Sequence, residues 1–307
     1  MQLSFEKGDP IAFIEGGKDN NKIIYLHDPS KKCCDKCSEK CGQRGRYCCE
    51  KCVGDGGCLT CGGNLDDEID DEEVINKIKR RGIKANNPHK RNIKTGKEII
   101  INDEGIIRIL PNFDTSERSY TCGPSGSGKS YWISKYIEQW KRIFKREPIY
   151  IFSDVDKDEL LDKYNNVRRV RLTEELINNP LDAKEFPEGS LIIFDDIDSI
   201  INKKLMKAIE DLRDHLLDRG RHEKLYVIVS NHLMTDHKRT RVCLNECSVI
   251  NVFPRSGSAY GITYLLKHYC GLAPKQIKTL MNLQSRWVTV KKNYPLHVIH
   301  EKGVYLI

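Results

Sequence analysis

The segment from Gly123 to Ser130 has the residue types and spacing needed to hold a chain of phosphates. It reads Gly-Pro-Ser-Gly-Ser-Gly-Lys-Ser, a full match to G-x-x-x-x-G-K-[ST], and it lies between a short apolar strand and an amphipathic helix. The glycines allow a tight backbone whose N–H groups point at phosphate oxygens. Lys129 would reach the terminal phosphates, and the Ser130 hydroxyl would bind Mg²⁺. A Gly/Ser-rich turn is the alternative. The pattern predicts a nucleotide site made of Gly123, Pro124, Ser125, Gly126, Ser127, Gly128, Lys129 and Ser130.

Two adjacent carboxylates follow an apolar run farther along the chain. Leu191 to Phe194 reads as a buried strand, and Asp195 and Asp196 come directly after it. A strand end beside the phosphate loop would let Asp195 share the Mg²⁺ ion with Ser130, while Asp196 orients or deprotonates the attacking water. Asp198 is the alternative to Asp196 in this second role. A simple Asp-Asp turn after a core strand is the non-catalytic alternative.

Two further groups of polar residues are candidates for contact with phosphate. Asn231 follows the apolar strand 225–229, where a side chain can hydrogen-bond the terminal phosphate or the water; a polar turn is the alternative. Arg219 and Arg221 flank Gly220, and the planar guanidinium suits charge on a transferring phosphoryl group. Either arginine is predicted to serve a neighbouring subunit as an arginine finger or to contact nucleic-acid phosphates. The alternative is a solvated helix end.

The elements that must position these residues alternate between strands and helices from Arg118 onward. This alternation predicts an α/β fold with a mostly parallel sheet covered on both faces. The pattern also predicts a short helix over 158–164, and a helix capped by Ser199 that ends at a left-handed Gly220.

A dense cysteine cluster precedes this region. Nine of the 13 cysteines lie between Cys33 and Cys61. Three C-x₂-C pairs can supply tetrahedral thiolate ligands, so the spacing predicts one or two Zn²⁺ ions, with free thiols or an iron cluster as alternatives. The pairing of ligands stays open among Cys34, Cys37, Cys49, Cys52, Cys58 and Cys61.

Shifts in composition divide the chain into five segments. Residues 1–32 read as a β-hairpin, 33–63 as the zinc-binding insertion, and 64–97 as a charged linker. Residues 98–117 are predicted to add strands that complete a small N-terminal sheet, and 118–307 form the nucleotide-binding domain. The basic stretch within 74–97 either neutralises DNA phosphates or is a solvated linker.

Bulk composition constrains the class of protein only loosely. The 307 residues carry a formal net charge of +7, which permits a nucleic-acid partner without requiring one. The N-terminus does not resemble a signal peptide, and no run approaches the roughly 18 apolar residues of a membrane span. We therefore expect a soluble protein without a membrane partner.

Taken together, the motifs GPSGSGKS, LIIFDDID, DRGRH and VSNH resemble those of the DNA-packaging ATPases of large nucleocytoplasmic DNA viruses, the poxvirus-type branch of the FtsK/HerA superfamily. The resemblance covers about residues 118–260. It implies a RecA-like core that forms a homo-oligomeric ring, hydrolyses ATP and moves double-stranded DNA into a capsid. It also implies work in the host cytoplasm or the virion, beside a capsid or portal protein. Many members carry glutamate where Asp196 stands.

Two other functions fit the same residues. One is a P-loop ATPase that serves a different DNA transaction. The other is a zinc-containing, nucleotide-gated binding protein with little turnover.

Overall fold

The computed structural model describes residues 1–5, 8–27, 97–112, 115–236 and 238–307. The cysteine-rich insertion and nearly all of the charged linker lie outside these ranges, so the Zn²⁺ ligands Cys34, Cys37, Cys49, Cys52, Cys58 and Cys61 stay predictions. The chain divides into two compact units. The first contains Met1–Leu110, Gln139–Ile143 and Lys302–Leu306, and the second contains Pro111–Glu138, Phe144–Glu301 and Ile307.

The first unit contains a four-stranded antiparallel sheet in the order β1-β3-β2-β5. Strands β2 and β3 form the hairpin that the sequence predicts, and their apolar side chains, such as Phe13 and Ile24, are buried. Alternation between buried and exposed positions is weak in these strands because most of their residues face the core. The strands are β1 (Gln2–Ser4), β2 (Asp9–Glu15), β3 (Ile23–His27) and β5 (Ile106–Ile109).

The expected pair of strands within 98–117 does not form. Strand β5 joins the N-terminal sheet beside β2, as predicted, but β4 (Glu98–Ile100) pairs with β14 (Gly303–Leu306) near the end of the chain. Lys302 holds the intervening turn, because its Nζ donates to the carbonyl oxygens of Asp103 and Gly105 at 2.9 and 2.8 Å. Strand β14 thus pairs with β4 in place of β5. Turn residues indicate where a chain can reverse, but they give no information on whether a distant strand competes for the same partner.

The second unit is built on a mixed sheet in the order β13-β12-β11-β6-β10-β9-β7-β8. In this order, the six strands from β11 to β8 run parallel to one another. Strand β12 pairs antiparallel with β11, and β13 pairs antiparallel with β12. Strands β9 and β10 are buried along their whole length, as expected for parallel strands covered on both faces. The bounds are β6 (Arg118–Cys122), β7 (Ile149–Ser153), β8 (Val167–Val170), β9 (Leu191–Asp195), β10 (Tyr226–Asn231), β11 (Val249–Val252), β12 (Val288–Lys291) and β13 (His297–His300).

Helices connect these strands and confirm the α/β class. They are α1 (Lys129–Ile143), α2 (Glu175–Asn178), α3 (Lys203–Arg219), α4 (Arg241–Glu246), α5 (Ala259–Tyr269) and α6 (Pro274–Met281). The mixed, largely parallel sheet with α1 directly after β6 fits a RecA-like P-loop core. Among the described residues, no helix combines the length and the apolar character that crossing a membrane requires.

Three local predictions in this unit are wrong. Residues 158–164 form turns instead of a helix, with Asp158 accepting from the backbone N–H of Leu160. Asn202, not Ser199, caps α3. Gly220 has a right-handed backbone, and glycine is needed there because a Cβ would lie 2.3 Å from the carbonyl oxygen of Leu216.

Candidate nucleotide site

Three of the predicted motifs meet at the carboxyl edge of the parallel sheet. The phosphate loop follows β6, the two carboxylates end β9, and Asn231 ends β10. Strand β10 lies between β6 and β9, with Ser230 in register with both Thr121 and Asp195. Neighbouring parallel strands place their carboxyl ends side by side, which is where open α/β sheets bind ligands.

The loop from Gly123 to Gly128 requires glycine for two different reasons. Gly126 and Gly128 have φ angles of +74° and +105°, a region that side chains with a Cβ rarely adopt. Gly123 instead lacks space, because a Cβ would lie 2.8 Å from Ser127 Oγ and 3.0 Å from Phe253 Cδ2. The Ser127 side chain is buried, while Pro124 and Ser125 form an exposed rim. The loop therefore has the compact backbone of an anion cradle.

Lys129 opens helix α1 and is 5% exposed. Its Nζ donates to the carbonyl oxygen of Gly123 at 3.1 Å and lies 3.4 Å from Asp196 Oδ1. The ammonium thus lies between the phosphate loop and the end of β9. Ser130, the next residue, is partly exposed in the first turn of α1, where the leading N–H groups have no partner within the helix.

Asp195 is a buried carboxylate with one unsatisfied oxygen. Its side chain is 5% exposed, and Oδ1 has no hydrogen-bond partner among the described residues. Burial raises the pKa of this carboxyl to about 6; Asp196 and Asp158 add to the rise, while Ser230 and Lys129 oppose it. A buried, partly uncompensated carboxylate is a fitting ligand for a divalent cation, since the cation would restore the ionised form. Asp195 and the Ser130 hydroxyl are thus the residues suited to hold Mg²⁺.

Asp196 adopts a left-handed backbone, with φ of 49°, directly after β9. This conformation costs about 1–2 kcal/mol for a residue other than glycine, and aspartate tolerates it better than most. Both carboxylate oxygens have partners: Oδ1 lies near Lys129, and Oδ2 lies 3.3 Å from His232 Nε2. The turn therefore aims the Asp196 side chain at the phosphate loop.

His232 is the site residue that sequence reasoning did not select. Its Nδ1 lies 3.4 Å from Asp198 Oδ1, and its backbone N–H donates to Asp198 Oδ2 at 3.2 Å. The imidazole therefore bridges Asp196 and Asp198, whose ligand atoms all lie within 4.8 Å of one another. Its position directly after Asn231 at a strand end was the available signal, but only the fold places the two carboxylates on either side of the ring.

Asn231 is buried at the end of β10. Its Nδ2 donates to the Tyr120 hydroxyl at 3.3 Å, and that hydroxyl donates to the Leu233 carbonyl at 2.9 Å. The Asn231 Oδ1 atom has no hydrogen-bond partner among the described residues. An acceptor oxygen suits a water molecule, which can donate a hydrogen bond, better than it suits a phosphate oxygen.

Arg219 and Arg221 do not join this site. They precede β10, and the start of β10 is in register with Arg118 at the start of β6, so they lie at the amino edge of the sheet. The strands are about 15 Å long, which separates both arginines from the phosphate loop of the same chain. Both side chains are exposed, and Arg219 Nε is 3.7 Å from Asp218 Oδ2.

The raised pKa of Asp195 predicts a pH-dependent stability for the nucleotide-free protein. The folded state favours the protonated carboxyl, so its stabilising contribution is complete below pH 3.8 and is lost as the pH rises through about 6. Asp195→Asn cannot ionise and should therefore raise the free energy of unfolding by about 3 kcal/mol at pH 8, and by less at pH 5. Urea unfolding at both pH values measures this. The exposed Asp156 supplies the control, Asp156→Asn, and an equal gain at both pH values would contradict the assignment.

Comparisons with known proteins reveal one clear relative in sequence. No protein-family model matches the chain. An uncharacterized protein of Sputnik virophage, V3, is 39% identical over 210 residues, which span 68% of this chain and 84% of V3.

Solved structures match this chain with low sequence identity and low TM-scores. The DNA-packaging ATPase B204 of Sulfolobus Turreted Icosahedral Virus has a TM-score of 0.43 and 17% identity, over 62% of this chain and 99% of B204. The monomer form of the pCW3 conjugation coupling protein TcpA with ATPgS has a TM-score of 0.43 and 12% identity, over 67% of this chain and 66% of TcpA. The fold described above rests on the strand order of this chain itself.

The similarity to V3 extends over more than two thirds of both chains and lies well above the level of chance resemblance. The relative is a virophage protein, which supports the viral origin that the four motifs imply. The chain belongs to the same viral protein family as V3 of Sputnik virophage.

Proposed function

We propose that this protein hydrolyses ATP at the carboxyl edge of its parallel sheet and uses the reaction to move double-stranded viral DNA. The observation that carries the proposal is the meeting of Lys129 and Asp196, 3.4 Å apart, beneath a loop shaped for phosphate. Glycine backbone geometry, a buried cation and a carboxylate are the parts that phosphoryl transfer to water requires.

Each residue has a distinct role in this proposal. The N–H groups of the loop and of the first turn of α1 bind the phosphates, and Lys129 neutralises the terminal ones. Ser130 and Asp195 would hold Mg²⁺, which supplies charge neutralisation at the phosphate oxygens when bound. Asn231 accepts a hydrogen bond from the attacking water, and Asp196 takes the proton from it.

The contact between Lys129 and Asp196 also explains how a bound nucleotide would free the Asp196 carboxylate to act as a base. A triphosphate that enters the loop competes for the Lys129 ammonium and frees Asp196 Oδ1 for the water. Asp196 Oδ2 can meanwhile remain against His232, at the 3.3 Å observed, so the carboxylate keeps its direction. The exchange couples phosphate binding to release of the base.

Coupling to DNA is tested by ATP turnover of the full chain with and without long duplex DNA. A motor should hydrolyse ATP several-fold faster with the duplex, and this gain should weaken at high salt because DNA contacts are electrostatic. Equal rates at every DNA concentration would contradict a motor. Heparin at the same charge concentration is the control for a general polyanion effect.

The ring that the motif resemblance implies would explain the positions of Arg219 and Arg221. Both lie at the amino edge of the sheet, out of reach of their own phosphate loop, and a neighbouring copy could present them to it.

Neither Arg219→Ala nor Lys129→Ala should hydrolyse ATP alone. Mixing the two should restore part of the activity, since some interfaces combine an intact loop with an intact arginine. No recovery at any ratio would contradict a shared site. Asp196→Asn mixed with Lys129→Ala is the control and should stay inactive, because both changes damage the same phosphate site.

A capsid as the destination of the DNA, a capsid or portal protein as partner, and Zn²⁺ in the cysteine-rich insertion complete the proposal. They are supported by the motif resemblance and by the C-x₂-C spacing.

A further inference from the structure

An arginine lies beside the residue that follows the phosphate loop. Arg286, in the segment between α6 and β12, places its Cζ atom 5.3 Å from the centroid of the Tyr131 ring. Tyr131 follows Ser130 directly, in the first turn of α1. The pair therefore lies next to the residue that ends the phosphate loop.

A buried carboxylate holds this arginine in place. Glu301 is 8% exposed and accepts from Arg286 Nε at 2.9 Å and from the Arg286 backbone N–H at 2.8 Å. The hydroxyl of Ser285 lies 3.3 Å from the same Glu301 side chain. The Arg286 side chain is 58% exposed. Burying a carboxylate is costly unless it is well paired. The buried Glu301 carboxylate is paired with Arg286, and this pairing fixes the orientation of the exposed guanidinium.

The strand order gives the direction in which a bound nucleotide must extend. Asp196 and His232 follow β9 and β10, which lie on one side of β6. Strands β11 and β12 lie on the other side, and Arg286 shortly precedes β12. Because Lys129 and Asp196 take the terminal phosphate on the β10 side, the nucleoside end has to point toward β11 and β12.

Residues after β11 complete the border on this side. Phe253 lies in the space against Gly123 and Gly128, and Arg255, two residues later, donates from Nη2 to Gln284 Oε1. This contact joins the segment after β11 to the segment that carries Arg286. The result is a rim made of two tethered segments beside the first turn of α1.

We propose that Tyr131 and Arg286 form the platform on which the base of the bound nucleotide stacks, with Glu301 as the positioning residue of that platform. The proposal rests on the proposed function, since it requires a nucleotide in the phosphate loop. A planar guanidinium beside an aromatic ring can stack on a heteroaromatic base, and such contacts do not involve the phosphates. Arg286 therefore contributes to affinity for the nucleoside part alone.

Calorimetry on the full chain with Mg²⁺ separates the two parts of the ligand. The probes are a non-hydrolysable ATP analogue and inorganic tripolyphosphate. In Arg286→Ala, we expect the Kd for the analogue to rise about tenfold and the Kd for tripolyphosphate to stay the same. Arg168→Ala is a matched control, because Arg168 also lies over a tyrosine ring, Tyr150 at 5.7 Å, but on strand β8 at the far end of the sheet; neither Kd should change.

Failure of this inference and failure of the proposed function give different results. An unchanged Kd for the analogue in Arg286→Ala overturns the platform, and so does an equal weakening of both ligands, which would assign Arg286 to the phosphates. Absence of binding of either ligand to the unmodified protein would overturn the proposed function itself. If Arg286→Ala fails to fold, Arg286→Lys serves as the second variant, because lysine keeps the positive charge but lacks the planar guanidinium. A several-fold weaker analogue with unchanged tripolyphosphate is then expected, and an unchanged analogue Kd overturns the platform.

Discussion

Lys129→Ala should lower the rate of ATP hydrolysis by about a thousandfold and weaken binding of the nucleotide. The reason is the position of the ammonium, which is 5% exposed and lies between the Gly123 carbonyl and the Asp196 carboxylate. A fixed cation in a site with little water stabilises developing negative charge far more than a solvated one does. Steady-state ATPase assays and calorimetry with an ATP analogue measure the two effects.

The control for this variant is Lys135→Ala, on the same helix. Lys135 Nζ donates to Glu138 Oε2 at 3.0 Å in a partly exposed pair, and its loss should change turnover by less than twofold. Hydrolysis within tenfold of the unmodified rate would remove Lys129 from the phosphate site.

Asp196→Asn should lower kcat by about 10²–10⁴ while the Kd for an ATP analogue changes only a few-fold. Asparagine cannot accept the proton of the attacking water, but it has the same size and tolerates the left-handed backbone that Asp196 adopts. A loss of turnover without a loss of binding would therefore report chemistry and not folding. Steady-state assays at saturating nucleotide measure kcat, and single-turnover assays with excess enzyme isolate the chemical step.

Asp198→Asn tests the competing assignment. Asp198 pairs with His232, whereas the carboxylate beside Lys129 is that of Asp196. Replacing Asp198 should therefore reduce kcat less than tenfold, because it only loosens the hold on the His232 ring. A larger loss for Asp198→Asn than for Asp196→Asn would transfer the role of base to Asp198. The two variants are matched in charge and size, and they differ only in which carboxylate they remove.

The amino-acid sequence by itself determines those features that depend on neighbours along the chain. The loop from Gly123 to Ser130 and the buried strand before Asp195 both follow from local rules of glycine and apolar runs. The meeting of the three motifs was also predictable, since parallel strands bring their carboxyl ends together. Asp196, the candidate base from the sequence, is the left-handed residue that contacts Lys129, and its role as base stays a prediction.

Tertiary structure alone decided the features that depend on distant partners. Strand β4 pairs with β14 about 200 residues away, and His232 bridges two carboxylates that follow a different strand. The arginines at 219 and 221 lie at the wrong edge for their own loop, and Arg286 reaches Tyr131 from a segment more than 150 residues later. Sequence patterns report spacing along the chain, whereas these contacts arise only when strand order and packing bring remote side chains within a few ångströms of each other.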